Sequence, residues 1–316
     1  MFIIITVMSV ISSLLKFGTP IILAGLGGVI TENAGVVNIA LEGMMRIGGF
    51  FAVFGSYITG NPWYGILMAM VAGGLAGLLH AYISVSLRGN QIVSGVAINV
   101  FALGGITFFL ERYFNTTGHS PSVASFMNKP IFPPLAKIPY VGEIFLNMNV
   151  FVFLAVVMPF VIHFYLYRTP WGLRHRSVGE HPKAADTLGV NVYMVRYLAV
   201  IASGVFAGLA GASITIGQLS LFDNHMPAGL GFIALAAMIF GKWKPLGTLA
   251  AALFFTFATV VQIYIQTLAP KILTIIPRGF FLALPYMLTI LILAGFVGRA
   301  VPPAASGVPY EKGEKL

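Results

Sequence analysis

The sequence has no cysteine and little charge. The absence of Cys excludes disulfides, thiol catalysis and cysteine-ligated metal sites. Only 9% of the 316 residues are charged and 58% are hydrophobic, whereas a soluble domain has about 25% charged residues. A surface of this size needs more charge if it faces water, but not if it faces lipid tails. We therefore expect an all-α polytopic membrane protein.

Signatures of catalysis and of nucleic-acid binding are also missing. Gly241-Lys242 is preceded by Ala236 where a phosphate-binding loop needs Gly, so this chain is not expected to bind ATP. The histidines show no H-E-x-x-H spacing, and Asp223-Asn224-His225 is typical of a turn rather than a metal site. The net charge of +9 comes from basic residues in small groups at the ends of apolar runs, not from a stripe that fits nucleic acid. We predict no catalytic residue, metal or cofactor in this chain.

The apolar runs predict about nine membrane-spanning helices, within a range of eight to ten, in one transmembrane domain covering residues 1–316. A helix needs about 20 residues to cross a membrane. The runs are 19–31, 39–59, 63–87, 91–111, 149–167, 193–217, 229–241, 246–268 and 279–298. Segment 31–43 places Glu32, Asn33, Asn38 and Glu42 between apolar stretches, which indicates a broken helix. Segment 1–17 has no basic residue before Lys16, unlike a cleavable signal peptide, so we expect it to be retained. We expect it to lie in the interface, with a first span as the alternative.

The distribution of Lys and Arg predicts the topology. Segment 168–196 carries Arg168, Arg174, Arg176, Lys183 and Arg196, which places it in the cytoplasm. Counting outward, twelve basic residues lie inside, five lie outside and Lys16 is unassigned. The inside set adds Arg46, Arg88, Lys242, Lys244, Arg299, Lys312 and Lys315. The proline-rich segment 112–148 is then a periplasmic, largely non-helical loop, and 299–316 is a cytoplasmic tail. Residues 39–44 and 233–238 are weakly similar and run in opposite directions, so an inverted repeat is possible.

The cytoplasmic segment contains a short predicted helix. Pro182 suits the first position of a helix and Gly189 suits the residue after its end. Residues 183–188 should therefore form a helix along the membrane face. Such a helix can fit a groove on a partner and transmit a push, or it can be a solvated loop helix without a partner.

Several motifs resemble one transporter family. Residues 179–189 resemble the coupling-helix signature of ABC-importer permeases. Residues 33–45, 90–99, 231–245 and 307–310 resemble the simple-sugar and nucleoside branch of the ribose/branched-chain amino-acid permease family. The coupling residues implied by this resemblance are Gly179, Glu180, Pro182, Lys183, Ala184, Ala185, Asp186, Leu188 and Gly189.

The resemblance implies a set of partners in a bacterial inner membrane. These are a second, different and longer permease, a cytoplasmic ATPase with two cassettes that uses ATP and Mg, and a periplasmic or lipid-anchored binding protein. The C-terminus would be cytoplasmic. The implied cargo is a purine nucleoside, with ribose or riboflavin as alternatives. An ion-coupled secondary transporter is the other alternative to consider.

Polar residues within the apolar runs are the candidates for a solute pathway. Such groups are costly in lipid unless they have partners, so they face the bundle interior or a wet path. The candidates are Asn38, Glu42, Asn90, Gln91 and Asn99, with Glu111, Gln218 and Gln262 in the wider set. Asn38 and Glu42 are favoured because they lie beside the break. The alternative role is as interhelical ties worth about 1 kcal/mol each. Glycines at helical spacing, such as Gly73, Gly77, Gly204 and Gly208, are expected to serve close helix packing.

Overall fold

A computed structural model describes residues 2–127, 129–138, 142–268, 287 and 300–313 of the chain. In this part of the chain the fold is helical, and strand pairing is limited to one bridge between His119 and Asp223. The helices are α1 (Phe2–Glu32), α2 (Leu41–Thr59), α3 (Pro62–Ala81), α4 (Gln91–Phe114), α5 (Gly142–Leu146), α6 (Val150–Arg168), α7 (Pro170–Glu180), α8 (Pro182–Thr187), α9 (Val192–Ile214), α10 (Leu230–Phe240) and α11 (Pro245–Leu268). π-helical turns extend α3 over Tyr82–Ser86 and α9 over Thr215–Leu219.

These helices confirm the polytopic α-helical class. Six of the described stretches are long and apolar enough to cross a membrane: Thr6–Glu32, Pro62–Ser86, Gln91–Phe114, Val150–Arg168, Val192–Leu219 and Pro245–Tyr264. Helix α2 adds 19 residues that include Glu42 and Arg46. The run 229–241 becomes α10, whose 11 residues rise about 16 Å and cover only half a bilayer. The predicted run 279–298 lies outside the described residues.

The bundle has two ends that differ in their connections. We call one the loop end; it contains residues 115–127, 129–138 and 142–149 together with 220–223, and Ser120 N donates to Phe222 O at 2.9 Å. We call the other the tail end; it contains α7, α8, the α10–α11 turn and residues 300–313. Ala305 N, for example, donates to Gly179 O over 2.8 Å. Helix α2 runs toward the loop end and α10 toward the tail end, in the opposite directions that the charge pattern predicts.

Helix α1 is continuous where the sequence suggests a boundary. Its 31 residues run from Phe2 to Glu32, so residues 2–17, which the sequence predicts to lie in the interface or to form a first span, continue into the run 19–31 as one helix. Pro20 cannot donate a hydrogen bond to Lys16 O, which would normally weaken a helix here. Gln218 Nε2 supplies the missing donor to Lys16 O at 3.0 Å. The helix therefore passes Pro20 without leaving a carbonyl unsatisfied in lipid.

Glycines let α9 pack against α2 and α3 at backbone distance. A Cβ at Gly208 would overlap Ala69 O, and a Cβ at Gly204 would overlap Gly73 O. A Cβ at Gly211 would likewise overlap Met45 O. Lipid gives no hydrophobic drive for helix association, so this close approach supplies dispersion contacts instead. The packing role predicted for these glycines is confirmed, and α9 forms the centre of the bundle.

Candidate functional site

The predicted break in the membrane helices lies at residues 33–40, between α1 and α2. Gly35 has φ of +84°, which ends α1 in a left-handed turn that favours glycine. Asn33 Nδ2 donates to Val29 O at 2.8 Å and to Trp243 O at 3.0 Å, joining the break to the α10–α11 turn. Asn38 is fully buried, and its amide donates to Ser203 Oγ at 2.9 Å while its carbonyl accepts from Ala40 N. Side chains thus satisfy the backbone that leaves helical geometry here.

Helix α10 begins beside the start of α2, where Glu42 caps it. The two carboxylate oxygens of Glu42 accept from Gly229 N at 2.8 Å and from Gly231 N at 2.7 Å. These N–H groups have no partner inside α10 because they lie at its N-terminus. A carboxylate is favoured at this position by the positive end of the helix dipole. Glu42 therefore fixes the half-helix to the start of α2.

Arg46 lies one helical turn beyond Glu42 and contacts Asn224, the residue that follows the loop-end segment 220–223. Its Nη1 donates to Asn224 O at 2.6 Å and to Asn224 Oδ1 at 3.1 Å. Thr107 of α4 donates to the same Oδ1 at 3.1 Å. Asn224 N in turn donates to Gly118 O in the loop-end segment. The sequence groups Arg46 with the basic residues of the cytoplasmic side, and this grouping is wrong because a residue's sequence neighbours do not give its depth.

Asn99 of α4 completes the set. Its Oδ1 accepts from Gly43 N at 2.7 Å and its Nδ2 donates to Ile39 O at 3.0 Å. Asn99, Leu103 and Thr107 are spaced four residues apart, so they lie on one face of α4 over about 12 Å. We call the set of Glu42, Arg46, Asn99, Thr107 and Asn224 the polar row; Arg46 is 9% exposed and the others are partly exposed.

The remaining pathway candidates lie at the tail-end start of α4. Asn90 caps α4, accepting from Ile92 N at 2.9 Å and from Val93 N at 3.1 Å. Gln91 is buried and accepts from Val37 N at 2.7 Å, which ties α4 to the break. The structure thus brings Glu42 and Asn99 together, while Asn38 and Gln91 hold the break and Asn90 caps α4.

Sequence reasoning did not select Arg46, Thr107 or Asn224. One signal was present, since an arginine four residues after Glu42 occupies the same face of a helix within an apolar run. Thr107 and Asn224 gave no comparable signal, because they meet only in the folded chain.

The predicted short helix is α8, whose bounds are close to the predicted 183–188. Pro182 occupies its first turn, and Gly189 follows with φ of +80°. Ala185 is 2% exposed and packs with Val178, Val192 and Tyr310. Ala184 and Leu188 face outward, and Leu188 is 84% exposed. The helix therefore has one face against the protein and one apolar face open.

The other residues predicted to take part in coupling lie in α8 or beside it at the tail end. Gly179 has no room for a Cβ, which would overlap Asn33 O. The carboxylate of Glu180 accepts from Ala304 N at 3.2 Å. Asp186 lies 3.8 Å from Lys312 Nζ. Lys183 is partly exposed on the same helix. Within the described residues, no group of three or more His, Cys, Asp or Glu is placed to hold a metal.

The chain is similar over nearly its whole length to permeases of known transport systems. It is 45% identical to the guanosine ABC transporter permease protein NupQ of Bacillus subtilis, covering 97% of each chain. It is 38% identical to the nucleoside ABC transporter permease protein NupC of Lactococcus lactis, covering 97% of this chain and 98% of that one. It is 34% identical to the putative glucose ABC transporter permease protein TsgC13 of Haloferax volcanii, covering 93% and 95%. No solved structure matches the chain.

These relatives come in pairs. Bacillus subtilis has a second guanosine permease, NupP. NupP is 26% identical to this chain over 74% of the length of this chain. Lactococcus lactis likewise has NupB, 22% identical over 94% of this chain. The family described as "Branched-chain amino acid transport system / permease component" matches residues 10–293. The chain therefore belongs to that permease family, as its motifs suggested, and is a multi-pass transport subunit.

Proposed function

We propose that this chain is one of two different permease subunits in an ATP-driven nucleoside importer, and that the polar row lines the solute pathway. The similarity to nucleoside and guanosine permeases over 97% of the chain is the observation that carries the substrate class. The two weaker relatives support a second permease that differs from this one.

The chemistry of the polar row suits a neutral, polar solute. Glu42 and Arg46 lie one turn apart and carry opposite charges, so the row has no net charge. Asn99, Thr107 and Asn224 add neutral donors and acceptors. A nucleoside presents hydroxyls and ring nitrogens that can exchange hydrogen bonds with such groups as it passes. Glu42, Asn99, Thr107 and Asn224 are partly exposed, and the second permease would cover them.

The orientation follows from charge. Nine of the twelve basic residues assigned to the inside lie at the tail end, while Arg299 and Lys315 lie outside the described residues and Arg46 belongs to the polar row. We therefore place the tail end, with α8 and the C-terminus, in the cytoplasm of a bacterial inner membrane. There α8 would contact a separate ATPase that uses ATP and Mg, and a binding protein would deliver solute at the loop end.

A sugar is the second candidate, because the Haloferax relative is named as a putative glucose permease. The test is uptake into proteoliposomes containing the chain, its second permease, its ATPase and its binding protein. With internal ATP and no ion gradient, we expect accumulation of labelled guanosine and none of labelled glucose. Accumulation of glucose alone would favour the sugar reading. Guanosine uptake that required an ion gradient and ignored ATP would contradict the importer.

A further inference from the structure

The C-terminal residues 304–312 form an ordered segment that lies across the tail end and joins parts of the chain far apart in sequence. We call this segment the strap. Ala305 N donates to Gly179 O at 2.8 Å, and Gly307 N donates to Gly35 O at 3.3 Å. The strap therefore contacts the end of α7 on one side and the break on the other.

A buried arginine holds the middle of the strap. Arg196 of α9 is 1% exposed, and its Nη1 donates to Val308 O at 2.9 Å. Ser306 hydrogen-bonds the carboxylate of Glu32, the residue that precedes the break. A buried cation is costly to leave without hydrogen-bond acceptors, so the bond from Arg196 to Val308 O favours the seated position of the strap.

The far end of the strap lies against α8. Tyr310 is 6% exposed and packs with Val178, Ala185 and Val192, and its ring lies 5.5 Å from that of Tyr193. Burial, followed by a hydrogen bond with Asp186, raises the pKa of Tyr310 to about 12. Arg88 and Glu311 form an ion pair at 2.8 Å that adds an exposed contact.

The break in turn positions the polar row. Asn99 holds Ile39 O and Gly43 N on either side of the start of α2, and Glu42 holds the start of α10. A displacement of α8 would therefore reach the polar row through the strap and the break. Helix α8 is six residues long and has one open face, so a second connection to the membrane part matters mechanically.

We infer that the strap is a positioning element of transport: it transmits movement of α8 to the break and so opens or closes the polar row, with Tyr310 as its anchor on α8. This inference rests on the proposed function for the source of the movement. The proposed function gives roles to α8 and to the polar row, and this inference adds the strap as the connection between them.

The test uses the assembled transporter and three strap variants. Tyr310→Ala removes the anchor, Tyr310→Phe keeps the ring, and Val308→Ala trims a side chain that is 55% exposed while leaving its carbonyl on Arg196. Because the chain has no cysteine, a Leu103→Cys reporter on α4 can be labelled by an impermeant maleimide in each background. Labelling is compared between the nucleotide-free and the vanadate-trapped complex, which requires no knowledge of the solute.

In the wild-type, Tyr310→Phe and Val308→Ala backgrounds, we expect vanadate trapping to change the labelling rate at least about fivefold. In Tyr310→Ala, we expect basal ATP hydrolysis and assembly to persist while the change in labelling disappears. A full change in labelling with Tyr310→Ala would overturn the inference. So would a parallel loss of basal hydrolysis and assembly, since that indicates a purely structural role. The wild-type transporter could show the labelling change and yet take up no guanosine. That result would contradict only the proposed substrate.

Discussion

The cap that Glu42 provides for α10 allows a quantitative prediction. Glu42→Ala removes two hydrogen bonds, of 2.8 and 2.7 Å, from N–H groups at the start of a half-helix. A hydrogen bond to a charged group contributes about 1.5–3 kcal/mol. Because Glu42 is partly exposed, water can replace part of each bond. We therefore take the lower value and expect a loss of about 3 kcal/mol in the free energy of unfolding, using two bonds of about 1.5 kcal/mol each.

The assay is reversible unfolding of the isolated chain in mixed micelles of increasing SDS fraction. Glu42→Gln keeps one acceptor oxygen, so it should lose about half as much as Glu42→Ala. Glu111→Gln is the matched control, because Glu111 is an exposed carboxylate near the end of α4. The reasoning would be refuted if Glu42→Ala unfolded at the same SDS fraction as Glu111→Gln.

Three further predictions concern packing, helix continuity and pH. Gly208→Leu should prevent folding because a Cβ at this position overlaps Ala69 O, and the measurement is loss of the monodisperse peak in size exclusion. The control is Gly104→Ala, which should fold normally because the space around its Cβ is open. Gln218→Leu should lower the free energy of unfolding by about 1–2 kcal/mol, because it leaves Lys16 O unpaired. This loss should vanish in a Pro20→Ala background, where the backbone N–H of residue 20 supplies the donor. Equal losses in both backgrounds would contradict this explanation. Burial lowers the pKa of His175, which is 5% exposed in α7 and bonds Ile30 O at 2.7 Å. Unfolded chains then bind more protons below about pH 6.5, so stability should fall as pH drops through this range. His175→Gln should have a flatter pH dependence of its thermal midpoint, and an unchanged slope would refute the assignment.

Sequence patterns located most of the described membrane helices because lipid imposes a simple length requirement, while the count of about nine spans stays a prediction. The break appeared where four polar residues interrupt apolar runs, and it is found at 33–40. Helix α8 followed from Pro182 and Gly189, which act through local backbone geometry. These features depend on residues close together in the chain, so spacing is informative.

The contacts that build the polar row depend on distant pairs and could not be predicted in this way. Arg46 and Asn224 are 178 residues apart, and Lys16 and Gln218 are 202 apart. The first pair places a basic residue away from the tail end, and the second keeps α1 continuous past a proline. Neither contact can be predicted from a count of charges or from the rules for a single helix. The length of α10 was visible as a short apolar run, but its role as a half-helix needed Glu42 at its start.

The central claim is that the polar row lines the solute pathway. Single cysteines at Thr107 and at Val161, an exposed position on α6, can be compared in the assembled transporter because the chain has no other thiol. An impermeant, charged thiosulfonate should react with Thr107→Cys and not with Val161→Cys, and guanosine should slow the first reaction. Equal reactivity at both positions, or no effect of any solute at Thr107→Cys in a complex that transports, would contradict the account.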